Sequence, residues 1–256
     1  MRPSFAYALA RMHARIATRP DEAARRRLTS IDDFGHFLQS AAGAGYGAWV
    51  ARLAPTSGVH TVELALRLAY RAQLDEIAEW LPESWRPAVR WLALGPELPV
   101  LGVLPDEHER IGGEQRGAEQ PGWIRDDPLY RPLLDHDEGK DPAAAIGERW
   151  PALASTPPGE LAAAWRREAR ALMPALSRAS REAMTPLLRL HAESPNLPLT
   201  EARIDKSFRR APAAAVRVFA WLSLLRIDLD FLRGELALRR MQAGSEFRHV
   251  RARKAA

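Results

Sequence analysis

The chain has 256 residues, of which 46% are hydrophobic and 27% charged, with a formal net charge of +5; this is the balance of a soluble globular protein long enough to bury a substantial core. It contains no cysteine, which excludes a disulfide scaffold, a thiol nucleophile and any cysteine-ligated zinc or iron–sulfur site. No apolar run reaches the roughly 18 residues of a membrane span and the first residues carry no signal-peptide pattern, so a cytoplasmic location is expected.

Phe5, Leu9, Met12 and Ile16 recur at spacings of three and four, which predicts a helix from Pro3 to Thr18. Asp21 can cap a second helix, and Thr29-Ser30-Ile31-Asp32-Asp33 opens a third with Phe34, Phe37 and Leu38 on its apolar side. Gly43, Gly45 and Gly47 then break the pattern around Tyr46. A helix over about Thr61 to Leu81 stops at Pro82, and another spans about Trp85 to Leu94 until Pro96 and Pro99 interrupt it.

Residues 105–159 differ from their flanks, with 8 Pro and 7 Gly. Proline removes a backbone donor and glycine raises the entropy of ordering, so this segment reads as an irregular acidic linker. Its stretch Trp123 to Tyr130 is aromatic enough to pack back onto a helical body. Beyond it, helices are expected from Pro158 to about Leu176, from Ser180 to His191 with Pro186 as a kink or late start, and from Thr200 around Ile204. The last helix, Ala213 to about Met241, is hydrophobic almost all round and belongs in a core. No strand alternation is present. The class is all-α, divided into an N-terminal helical bundle over 1–104, the linker over 105–159 and a C-terminal bundle with a basic tail over 160–256.

A short repeat links the flanks. Ala88-Val89-Arg90-Trp91-Leu92-Ala93-Leu94 matches Ala215-Val216-Arg217-Val218-Phe219-Ala220-Trp221, and Glu97-Leu98-Pro99-Val100-Leu101 matches Asp228-Leu229-Asp230-Phe231-Leu232.

No motif for catalysis, phosphate binding or metal binding emerges. The seven histidines lack HExxH spacing, the acidic run Asp135-His136-Asp137-Glu138 has no helix to aim it at a metal, and nucleophile elbows and P-loops are absent. Asp32 and Asp33 near His36 read as helix caps rather than an acid–base pair. Neither a catalytic residue, a metal nor a cofactor is therefore expected. Within the last helix, Arg226, Asp230 and Arg233 stand four and three apart on one face. Among apolar neighbours such charges must be paired, so this ladder is either a register-setting ion pair or a contact with a partner protein.

Charge is uneven: residues 1–104 carry a net +2, 105–159 a net −6 and 160–256 a net +9, and 34 of the 37 basic residues are arginine. The basic C-terminal third fits solvated helix faces or a surface for an acidic partner, anionic lipid or nucleic acid.

Phe5-Ala6-Tyr7-Ala8-Leu9-Ala10-Arg11-Met12-His13-Ala14-Arg15, then Ser30 to Leu38 and Gly45-Tyr46-Gly47, together resemble the opening of the C subunit of V-type (archaeal-type) ATPases, known as the d subunit in eukaryotes. The helix from Val62 to Leu81 and that from Val218 to Arg233 resemble later helices of the family. Leu9 stands where the family usually has Asn, and Pro99 and Asp230 take the Asn place of its acidic–Asn–Leu pattern. The chain is also shorter than a three-bundle member. The resemblance implies repeated helical bundles and a non-catalytic adaptor, peripheral at the inner face of the membrane, joining the central shaft of a rotary ATPase to its membrane ring. A free-standing cytosolic adaptor of the same ancestry and an arginine-rich helical nucleic-acid-binding protein are the alternatives.

Overall fold

The computed structural model describes residues 3–103, 122–131, 142–154, 156–193 and 201–255, with the backbone alone for 122–123, 142–144 and 243–255. The described residues are helical without a strand, so the class is all-α.

Helix α1 (Phe5–Ile16) begins where the Ser4 hydroxyl accepts from Tyr7 N at 3.2 Å and buries Ala8, Leu9 and Met12. Asp21 caps α2 (Glu22–Thr29) and Asp33 caps α3 (Phe34–Ala41), each accepting a main-chain N–H at 2.7 Å. These short side chains satisfy donors that the first helical turn leaves free. The glycine-rich break is a π-helical turn, Ala42–Tyr46, that runs directly into α4 (Gly47–Val50). Helix α5 (Val59–Trp80) follows.

The helix expected to stop before Pro96 does end, at Trp91, but the chain stays in helical turns through Pro96 and Pro99. A 3₁₀ turn at Glu83–Trp85 leads into α6 (Arg86–Trp91), a second 3₁₀ turn at Leu92–Glu97 absorbs Pro96, and 98–103 is helical again. Pro99 lies in the first turn of that last stretch, where a missing N–H costs nothing.

The segment read as irregular contains α7 (Gly122–Asp126), α8 (Pro142–Arg149) and a 3₁₀ turn at Pro151–Leu153. Pro142 and Pro151 start helical turns rather than interrupt them, and Ile124, Tyr130, Ile146 and Leu153 are buried. The polar run Asp106 to Gln120 and the acidic run Asp135 to Glu138 lie outside the described residues.

Helix α9 (Leu161–Ala171) ends short of Pro174, and α10 (Arg178–Ala192) starts at its Ser177 cap and passes through Pro186. Helix α11 (Glu201–Arg210) buries Ile204 and Phe208. Helix α12 (Ala214–Ala255) outruns the apolar stretch that announced it. Between Ala215 and Leu236 it is buried on nearly every side, and it lies against α1, α3, α5, α10 and α11. Each fully buried leucine there contributes about 1.5–3 kcal/mol. Buried residues from all three sequence segments join one hydrophobic cluster around this helix.

Candidate functional site

Among the described residues, two groups of buried charge include members of α12 together with residues of other elements. At the first, the Asp228 carboxylate is almost fully buried. Its Oδ2 accepts from Arg19 Nε at 2.8 Å; its Oδ1 accepts from Arg25 Nη2 at 2.5 Å, Arg19 Nη2 at 3.0 Å and the Tyr46 hydroxyl at 3.0 Å. Arg25 Nε donates to the Tyr46 oxygen at 2.8 Å, and both arginines also reach Glu201 at the start of α11. Burial pushes the Tyr46 phenol well above its ordinary pKa, and Asp228 adds to the shift. Burial opposes the charge of Arg25, but Asp228, Tyr46 and Glu201 outweigh it and hold the guanidinium charged.

The path of the chain sets this geometry. Gly45 has φ +110°, and a Cβ there would stand 2.2 Å from the Thr18 carbonyl oxygen. Only glycine permits both the left-handed turn and that approach, which brings Tyr46 beside the loop carrying Arg19.

The second place is a column of alternating charge. Arg67 on α5 pairs with Glu97, which also accepts from the Tyr130 hydroxyl at 2.5 Å. Arg67 Nε donates to Glu63 Oε1 at 2.5 Å, and Arg233 Nε donates to Glu63 Oε2 at 2.9 Å. Arg233 then approaches Asp230, Asp230 accepts from Arg226 Nε at 3.0 Å, and Arg226 Nη1 donates to the His191 carbonyl at 2.8 Å. Burial opposes the charge on Glu63, yet Arg233 and Arg67 outweigh it and lower its pKa. Beside the column, Arg71 pairs at 2.5 Å with the fully buried Asp127.

His191 itself is fully buried. Its Nδ1 lies 3.1 Å from the Tyr70 hydroxyl and its Nε2 lies 3.4 Å from Ser223 Oγ. Ser223 donates to the Phe219 carbonyl, so its oxygen is left to accept from Nε2–H, and Nδ1 accepts from Tyr70. Burial, helped by Arg226, pushes the imidazole pKa down to about 3.

A cavity of about 290 Å³ opens against the first cluster, between α1, the π-helical turn, α5 and α12. Arg15, Pro20, Trp49, Gln73, Glu76 and Trp221 line it, together with Tyr46 and Asp228. Arg15 donates to Glu76 at 2.6 Å across its edge.

The sequence-derived ladder of Arg226, Asp230 and Arg233 is brought together on α12, and each member is paired within the chain. The column it belongs to extends through Glu63 and Arg67, which stand four apart on α5, and Glu97. Arg19, Arg25, Tyr46, Glu201 and Asp228 form a group that the sequence does not announce. A signal for Asp228 is nevertheless present: the repeat aligns it with Glu97. Both are buried acids, and each holds a tyrosine hydroxyl and at least one arginine. Asp32 and His36 border a wide surface depression, while Asp33 is spent on the N-cap of α3. The carboxylates at both places each face two or more donors and tie helices together. Among the described residues no three His, Asp or Glu side chains cluster as metal ligands, and no helix is long and apolar enough to cross a membrane. No family model, curated protein or solved structure matches the chain.

Proposed function

We propose that this chain is a non-catalytic helical adaptor of the kind formed by the C subunit of rotary ATPases, which joins a central shaft to a membrane ring. The observation that carries this reading is the matched pair of buried clusters. Asp228 and Glu97 align in the internal repeat, and each accepts from a tyrosine hydroxyl, Tyr46 and Tyr130, that lies outside the repeat. A protein built from repeated helical bundles is what the resemblance implies. The segments carrying that resemblance also converge: α1, the turn ending in Tyr46, and α12 meet around one cavity. The outer side of α11 presents Arg203, Lys206, Arg209 and Arg210 to solvent, a basic face suited to an acidic partner.

Affinity capture of the tagged protein from gently solubilised membranes of its own source, with mass spectrometry of what accompanies it, tests the proposal. Shaft and ring subunits are the expected company, and Arg203→Glu with Arg210→Glu reduces their recovery while leaving the fold intact. Recovery of no ATPase subunit, in cells shown to express them, overturns it.

A further inference from the structure

Where the chain turns from the end of α9 into the start of α10, it leaves a pocket of about 150 Å³. Met173 and Met184, both buried, line it together with Pro174 and Leu176, and the exposed Arg170 and Arg181 complete the lining. The volume falls below the roughly 300 Å³ at which small-molecule sites begin. It matches an apolar cavity of about 150 Å³ that takes a benzene ring. Methionine suits such a guest, because its flexible thioether adapts to the shape of a partner and its sulfur is favoured at the edge of an aromatic ring. One aromatic side chain therefore fits this space.

The charge around the pocket says what carries that side chain. Residues 161–192 hold six arginines and two glutamates. Glu182 is taken by Arg178 at 2.8 Å, and Glu193 by Arg166. Arg170 reaches the Thr185 hydroxyl at a long 3.5 Å, and among the described residues no carboxylate pairs with Arg170 or Arg181. The arginines of the column differ, since Arg67, Arg226 and Arg233 each have an acid. Two unmatched guanidinium groups beside an apolar pocket are complementary to an apolar group flanked by carboxylates, which a guanidinium fork binds through paired N–H donors. We infer that this pocket receives one aromatic side chain of an acidic partner segment, whose flanking carboxylates pair with Arg170 and Arg181. The contact stands whether or not that partner belongs to a rotary ATPase.

The test is a titration of full-length protein, ¹³C-labelled at the methyl groups of its five methionines, with the end-capped peptide Glu-Glu-Phe-Glu-Glu. Met173→Leu and Met184→Leu assign the two signals that matter. Both are expected to shift and saturate, while that of Met12, buried elsewhere in the core, stays still. Replacing the phenylalanine of the peptide by alanine is expected to weaken binding at least tenfold, because the burial of an aromatic ring is lost. The peptide Lys-Lys-Phe-Lys-Lys is expected to leave both signals in place. Arg170→Glu with Arg181→Glu is expected to weaken binding of the acidic peptide at least tenfold with the circular dichroism spectrum unchanged. A linear drift without saturation overturns the inference, and so does equal affinity for the alanine peptide. Vesicles containing phosphatidylserine that shift both signals where the peptide does not would assign the surface to a membrane and overturn it as well. Should the double variant fail to fold, the three peptides on the wild-type protein decide.

Discussion

Asp228 holds four N–H or O–H bonds in a position that water does not reach, so it can be weakened by a change of one atom. Asp228→Asn removes the charge that balances Arg19 and Arg25 and leaves both guanidinium groups underpaired in the core. A loss of about 3–5 kcal/mol in unfolding free energy by urea titration is the expected result. Tyr46→Phe removes one bond and is expected to cost about 1 kcal/mol. The two losses are expected to add to more than the double variant's, because the residues share a network. His191 gives a pH signature. Its native pKa of about 3 lies below the ordinary value of about 6.5 that it regains on unfolding. The unfolded chain therefore binds the extra proton between those values. The contribution of neutral His191 is complete above about pH 6.5 and falls as pH drops toward 3. Comparing urea midpoints of wild type and His191→Gln across that window isolates it. Wild type is expected to lose stability more steeply, by up to about 1.4 kcal/mol per pH unit. Sequence spacing makes Arg226, Asp230 and Arg233 visible because their partners lie one turn away on the same helix. Arg19, Arg25 and Asp228 are not legible as a group, since their pairing spans about 200 residues of chain and no local periodicity encodes it.

At the scale of the element, caps are the most legible feature and the ends of α2 illustrate both outcomes. Its start is written locally, as Asp21. Its finish is supplied by α12: Arg239 Nε donates to the Ile31 carbonyl at 2.7 Å, and Nη2 donates to the Leu28 and Thr29 carbonyls at 3.0 and 3.3 Å. The same guanidinium lies 4.1 Å over the Phe37 ring. A cation is well placed at a helix C-terminus, where carbonyls lack partners. Arg239→Met keeps the stem and removes the donors. The amides of α2 are expected to exchange with solvent at least tenfold faster, measured by hydrogen exchange, with α9 unchanged. Close approach is the second way elements are fixed here. A Cβ on Gly95 would stand 2.3 Å from the His191 carbonyl oxygen, so Gly95→Ala must push α10 away from the 3₁₀ turn. A loss of about 1–3 kcal/mol in a urea titration is expected. The prolines mislead for a related reason. Pro96, Pro142 and Pro151 look like breakers in the sequence, yet a 3₁₀ turn or the first position of a helix accommodates each, and sequence alone does not distinguish those settings from a helix interior.

For the whole molecule, the three composition zones do not close separate cores, because α12 lies against helices from both flanks. Trp91 and Trp165 tie the flanks again, each indole N–H donating to the other residue's carbonyl at 3.0 and 3.2 Å. Unfolding followed by circular dichroism at 222 nm and by tryptophan fluorescence is therefore expected to give coincident curves. Two separated transitions would contradict a shared core. The helical class is legible on both flanks, because spacings of three and four recur there, but not in α7 and α8, whose segment reads as irregular. The shared core is not legible, because proline and glycine counts describe the local chain and not the neighbours that Ile124, Tyr130 and Ile146 find.

The alternating column from Glu97 to His191 has a mechanical consequence. Apolar contacts are non-directional and fix the register of a helix through shape alone. Guanidinium forks bond along fixed directions. Turning α12 by one residue, about 100°, would swing Arg226, Asp230 and Arg233 away from Glu63 and the His191 carbonyl together. The links would fail as a set, each leaving a buried charge behind. A roll of α12 is therefore resisted by the whole set at once rather than by one contact after another.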